Sequence, residues 1–294
     1  MVLLRELRDG IRSAPEEEAA AAVVAFLKSG GDDAPTGLPF VVGPDGMMET
    51  VPSVRLALLD LLPSLDPVAA LDLARQIMDE RKSSDEYALA LRNLAWNDLD
   101  GDLKTELSAR FMDLLKTPWL NQPSGGFLEA FDIAVEVGGS PMFEKMVALA
   151  GEATARTNPA VSGAAFMSLD RMVVRDHALL TGAFSKDAGW MDFAPQQRAS
   201  LMSRLDITEP GQREVFSRYL STPHAAGELE YFAKVFPNGN FLYGHRLVTA
   251  DDATPTIDEI KAADAQVLSV LDSVKAAVPA EAQTAIQTIR ERLK

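Results

Sequence analysis

The stretch Pro52–Pro118 sets four helical segments end to end with almost no chain between them, which restricts the folds open to the rest of the sequence. The segments are Ser53–Leu65, Pro67–Lys82, Asp85–Asn97 and Asp102–Thr117. Ser53 and Asp66 occupy N-cap positions, and Pro67 takes the first helical position, where its missing N–H costs nothing. In the second segment Val68, Leu71, Ala74, Ile77 and Met78 recur at three- and four-residue steps and make one apolar face. The third opens with the Ser83…Glu86 spacing of a capping box, and its apolar set is Tyr87, Ala88, Leu91, Leu94 and Ala95. The fourth carries Leu103, Leu107, Phe111, Leu114 and Leu115 on one stripe. The first is apolar nearly all round, with Arg55 and Asp60 as its charged residues, so it is expected between neighbours. It is too short for a bilayer, which needs roughly 20 apolar residues.

Helices joined by such short turns pack antiparallel to their neighbours. The pattern continues in Ser124–Val137 with Pro141–Ala155, Pro159–Val174 with Asp176–Lys186, and Pro195–Leu205 with Glu209–Ser221. Pair starts at Ser53, Asp85, Ser124, Pro159 and Pro195 are about 32–40 residues apart, the range of two-helix repeats. Val2–Arg12 and a helix from Pro15 precede the array, and Ala225–Phe236 closes it. Thr256–Val278 and Pro279–Leu293 read as a C-terminal helical hairpin. In its spacing, residues 52–236 resemble the HEAT/armadillo class of α-solenoids. The expected fold is all-α, an α-solenoid of antiparallel helix pairs with a small β-hairpin insertion. The expected divisions are 1–51, 52–236, 237–255 and 256–294. The resemblance implies protein binding on an extended surface.

Two stretches break the helical pattern. Residues 32–51 are too rich in proline and glycine for a helix, and Phe40–Val42 and Met47–Glu49 read as strands around the turn Gly43-Pro44-Asp45-Gly46. This insertion reads either as a cap on the open end of the array or as a functional loop. Residues 237–255 concentrate Phe241, Tyr243, His245 and Arg246, types that anchor interfaces. These four are the expected protein-binding residues. The competing reading tucks the aromatic rings inward as glue between the array and the last hairpin.

Charge and composition exclude several classes. With 43 acidic and 28 basic residues the net charge is −15, which repels phosphate backbones and argues against nucleic-acid binding. That also disfavours a DNA glycosylase of HEAT-like build, which needs a basic concave face. The absence of cysteine removes disulfides, thiolate metal sites and thiol nucleophiles. His177, His224 and His245 show no i, i+4 metal spacing, and the first two read as cap-like surface residues. Asp98–Asp102 lacks the glycine and glutamate positions of a calcium loop. No nucleotide-binding glycine fingerprint and no Gly-x-Ser-x-Gly elbow occur, so no cofactor, metal or catalytic residue is assigned. Trp96, Trp119 and Trp190 read as core under turns. No signal or transmembrane stretch is read; a cytoplasmic location and an extracytoplasmic one after signal removal both stay open. The expected function is a non-catalytic helical scaffold or adaptor for another protein. The alternative is a hydrolase- or lyase-type enzyme using His245, Arg246, Tyr243 and a distant carboxylate under the 237–255 loop.

Overall fold

Helices form wherever a cap and an apolar stripe coincide. The computed structural model describes residues 2–29, 33–98, 100–152, 157–187, 189–239, 244–250, 255–275 and 278–294, and within these omits the side chains of residues 2–5, 12 and 275. The order is α1 Val2–Ser13, α2 Glu16–Lys28, β1 Val41–Val42, β2 Met48–Thr50, α3 Val54–Leu65, α4 Pro67–Glu80, α5 Ser84–Trp96, α6 Lys104–Leu114, α7 Gly125–Glu129 and α8 Asp132–Val137. There follow α9 Gly139–Gly151, α10 Pro159–Arg175, α11 His177–Lys186, α12 Pro195–Met202, α13 Pro210–Ser221, α14 Glu228–Val235, α15 Ile257–Lys275 and α16 Ala280–Arg292. The protein is mostly helical, with one two-stranded antiparallel sheet. Val41 pairs with Thr50 and Val42 with Met48, so the register shifts between them.

The caps work as their residue types dictate. Ser53, Asp66, Ser83, Ser124 and Asp176 each accept a backbone N–H from the first turn of the helix they precede. The capping box at Ser83 is only half made in side chains. The Glu86 carboxylate instead receives Arg55 Nε and Nη2 at 3.0 and 3.2 Å.

The chain forms two compact units. The first comprises residues 1–137, 154–164 and 244–251, and the second 138–153, 165–243 and 252–294. In the first, α3 packs against α2, α4 and α5, while α6 rests on α5 and α8. Leu58, Leu62, Leu91, Phe111 and Leu115 are all buried, and Phe111 and Phe127 each meet Phe131 edge-on. In the second, α14 lies against α12 and α16, and α11 against α9 and α13. Its aromatic core joins Phe216, Tyr219, Phe232 and Phe236.

Polar contacts recur at nearly one sequence interval. In the first unit Arg55 meets Glu86, Arg75 meets Glu106, Arg81 meets Asp113 and Asp79 meets Arg110, at separations of 31 or 32 residues. In the second, Asp170 meets Arg204, the Ser185 carbonyl meets Arg218, and Arg198 meets Glu228, at separations of 34, 33 and 30.

Two expectations need correction. Ser124–Val137 is two short helices, α7 and α8, rather than one. At the break the ladder tightens to three-residue bonds: Phe131 N–H to Leu128 O, Ile133 N–H to Ala130 O and Ala134 N–H to Phe131 O. The tightened turn accompanies burial of both Phe131 and Asp132. His224 is not a surface residue; its side chain is 8% exposed beside Glu228. Of the three tryptophans expected as core, Trp190 is buried, while Trp96 and Trp119 are half-buried. Trp119 meets Tyr87 edge-on, Trp190 stacks on Phe143, and Trp96 lies under the Arg92 guanidinium.

Candidate functional site

The two irregular stretches meet over the first unit. Helix α5 carries Arg92, whose guanidinium is fully buried, and Asp60 of α3 is buried beside it. Arg92 Nη1 donates to Asp60 Oδ1 at 2.6 Å and to the Gly46 carbonyl at 3.0 Å. Asp60 Oδ1 also receives the Met48 N–H, so the pair grips both sides of the hairpin turn. Burial pulls the Arg92 pKa down, and the opposing attraction of Asp60 does not cancel that effect. Gly46 sits at φ 77°, and a Cβ there would stand 2.9 Å from the Trp96 ring and 3.3 Å from the Leu247 carbonyl. The turn around residue 46 and the strap around residue 247 are therefore neighbours, and only glycine fits between them.

Two carboxylates hold the strap down. Glu129, at the end of α7, faces His245 Nδ1 with Oε1 at 3.3 Å and receives the Arg246 N–H on Oε2 at 3.1 Å. Asp132, fully buried at the start of α8, receives the N–H groups of Val248 and Thr249, each at 2.7 Å, and the Thr249 hydroxyl. Leu247 between them is fully buried. Val248 and Thr249 thus anchor the strap, while His245 and Arg246 remain half-buried at its edge. Phe241 and Tyr243 lie outside the described residues. No protein-family model, no curated protein and no solved structure matches this chain.

The second unit repeats the anchoring device. Asp170 and Asp176 repeat the six-residue spacing of Asp60 and Asp66, 110 positions further along the chain. Asp176 caps α11 with backbone angles of −148° and 92°, and Asp66 caps α4 with −151° and 94°. Asp170 is buried and takes Arg204 Nε and Nη2 at 3.0 and 2.8 Å. Arg204 Nη1 then grips the Asn238 carbonyl at 2.7 Å, just as Arg92 grips Gly46. Burial raises the Asp170 pKa more than the arginine lowers it. Each irregular stretch is thus held by a buried Asp–Arg pair, a role that local sequence pattern did not reveal. The repeated Asp-x5-Asp spacing, with arginine 32 or 34 residues beyond its first member, is the signal that could have done so.

A further buried cluster in the second unit centres on Glu228. Its carboxylate receives Arg198 Nε and Nη2 at 2.8 and 2.7 Å and the Tyr219 hydroxyl at 2.9 Å, with His224 Nδ1 at 3.3 Å. Arg198 also pairs with Asp192. Burial acts to raise the Glu228 pKa, but the bonds from His224, Arg198 and Tyr219 outweigh it and bring the value to about 2. Burial and the Glu228 charge push the Tyr219 phenol upward. These groups hold one another rather than facing an open site. The second unit also has an open groove of about 470 Å³ between α11 and α13, with His177, Thr181, Gly182, Gly211 and Arg218 in its walls. Among the described residues no three potential metal ligands converge, and no helix is long and apolar enough to cross a membrane.

Proposed function

We propose that this protein is a non-catalytic helical-repeat scaffold that binds another protein through the composite surface formed by the hairpin and the strap. The reading rests on one observation: two irregular segments nearly 200 residues apart in sequence adjoin at Gly46 and Leu247. Loops held rigidly on a helical frame are where binding residues concentrate. The contacts recurring at 30 to 34 residues support a HEAT-like array, whose members bind proteins on extended surfaces. Buried carboxylates and arginines are engaged in holding the frame, and the reading assigns His245 and Arg246, half-buried at the edge of the strap, to the partner-binding surface.

A photo-crosslinking residue at position 246, in the chain expressed in its native cell, tests this. One dominant adduct is expected, lost when Arg246→Glu is made alongside a second crosslinker at position 245. Crosslinks spread over many proteins, or unaffected by charge reversal, sink the proposal. The enzymatic alternative draws on the His245–Glu129 pair at 3.3 Å. It predicts a turnover abolished by His245→Ala in a chain that keeps its melting temperature.

A further inference from the structure

We propose that Asn238–Gly239 is a self-modifying site, at which the asparagine deamidates through a cyclic imide and the hydrogen bond from Arg204 steers the product towards isoaspartate. The site lies in the second unit and does not rest on the protein-binding reading.

The reaction needs a backbone nitrogen that can reach the asparagine carboxamide. Asn238 is the one asparagine of the chain followed by glycine. With no Cβ, glycine lets its nitrogen approach the preceding side chain without a clash. Asn158, by contrast, precedes Pro159, whose nitrogen carries no proton to lose. Gly239 is exposed, and a Cβ built there would meet nothing within 4 Å. Its N–H has no hydrogen-bond acceptor among the described residues. Other groups hold the turn: the Asn238 N–H donates to the Ser203 carbonyl at 2.9 Å, and the Asn238 carbonyl accepts Arg204 Nη1 at 2.7 Å. The anchoring thus spares the nucleophile.

Arg204 acts on both halves of the reaction. Hydroxide takes the Gly239 N–H proton, and the nitrogen attacks the carboxamide carbon of Asn238. The bond from that carbon to the amide nitrogen breaks, and solvent supplies the proton that the leaving ammonia carries away. A hydrogen bond on the Asn238 carbonyl favours the anion that this peptide nitrogen must become. Water then opens the imide. Attack at the main-chain carbonyl leaves a carboxylate there, and the chain continues through the side-chain carbon as isoaspartate. Attack at the side-chain carbonyl gives aspartate. Arg204 Nη1 sits on the main-chain oxygen, where charge builds in the first route only, and a donor placed at developing charge lowers that barrier. Its Nε and Nη2 are fixed on Asp170, which sets its direction. Isoaspartate turns the carbonyl that Arg204 grips into a carboxylate and adds a backbone atom where the irregular stretch begins.

Incubation of the full chain in mildly alkaline buffer, followed by peptide mapping, tests the proposal. The readouts are the mass gain of an amide turned acid and the isoaspartate share, each against a synthetic peptide of the same local sequence. Conversion at Asn238 is expected within about tenfold of the peptide's rate, with a larger isoaspartate share. Gly239→Ala has room for its Cβ and should slow conversion by at least about tenfold with an unchanged melting temperature. Arg204→Gln alone strands a buried carboxylate, so it is combined with Asp170→Asn. The double variant should return the isoaspartate share to the peptide's value. An intact Asn238 after the peptide has fully converted overturns the inference, as does a rate indifferent to Gly239→Ala. An isoaspartate share in the wild type equal to the peptide's overturns the part assigned to Arg204.

Discussion

Glu228 shows how a single buried acid sets acid sensitivity. Its folded pKa of about 2 lies below the ordinary 4.5 because His224, Arg198 and Tyr219 all bond to the charged form. A depressed carboxylate stabilises the fold fully above its unfolded pKa and loses that contribution as pH falls from about 4.5 towards 2. The difference corresponds to something on the order of 3 kcal/mol. Glu228→Gln is therefore expected to be less stable than wild type at pH 7, with the gap closing as pH falls below 3. Urea unfolding across that range measures it, and a gap independent of pH contradicts the assignment. Asp170 has the opposite sign. Its raised pKa means burial costs more than Arg204 returns, so the pair fixes geometry at the expense of stability at neutral pH.

At the scale of elements, Gly182 is the informative exception inside α11. Glycine in a helix interior costs roughly 1 kcal/mol against alanine, and a Cβ at this position meets nothing within 4 Å. Gly182→Ala should raise the unfolding free energy by about 0.5–1 kcal/mol, read as a higher denaturant midpoint. A lower midpoint shows that the groove wall tolerates no added atom. Gly126 is the contrast. A Cβ there would lie 2.6 Å from Asp85 Oδ1, so the same substitution has no room. Most helices were legible because their instructions are local: Ser53, Asp66 and Ser83 cap what the apolar stripes then bury. The Ser124–Val137 stretch misled because its break accompanies a long-range need. Asp132 serves residues 248 and 249, which no neighbouring residue announces. Asp60 and Arg92 were illegible for the same reason. One acid among 43 acquires meaning only from a partner 32 positions away. Of the four residues expected to bind, the pattern located the segment, and the geometry then separated the anchors at Val248 and Thr249 from His245 and Arg246 at its edge.

At the scale of the molecule, neither unit is one continuous piece of chain. The first borrows residues 244–251 from near the end of the sequence, and those residues complete the hydrogen bonding of a buried aspartate. Thr249→Val removes one donor from Asp132 and is expected to cost about 1–3 kcal/mol. Hydrogen exchange should place the loss in α7 and α8, with α12 and α14 keeping their protection. Increased exchange in α12 and α14 instead means that the strap serves the other unit. The same borrowing has a consequence for biosynthesis. Asp132 leaves the ribosome 116 residues before Val248 does, an interval of roughly 6–23 s at common elongation rates. Throughout that interval the donors of the strap are absent from the aspartate, so α7 and α8 cannot take up their final hydrogen bonding before residues 248 and 249 emerge. The unit that begins to fold first is finished only when most of the second has already been made.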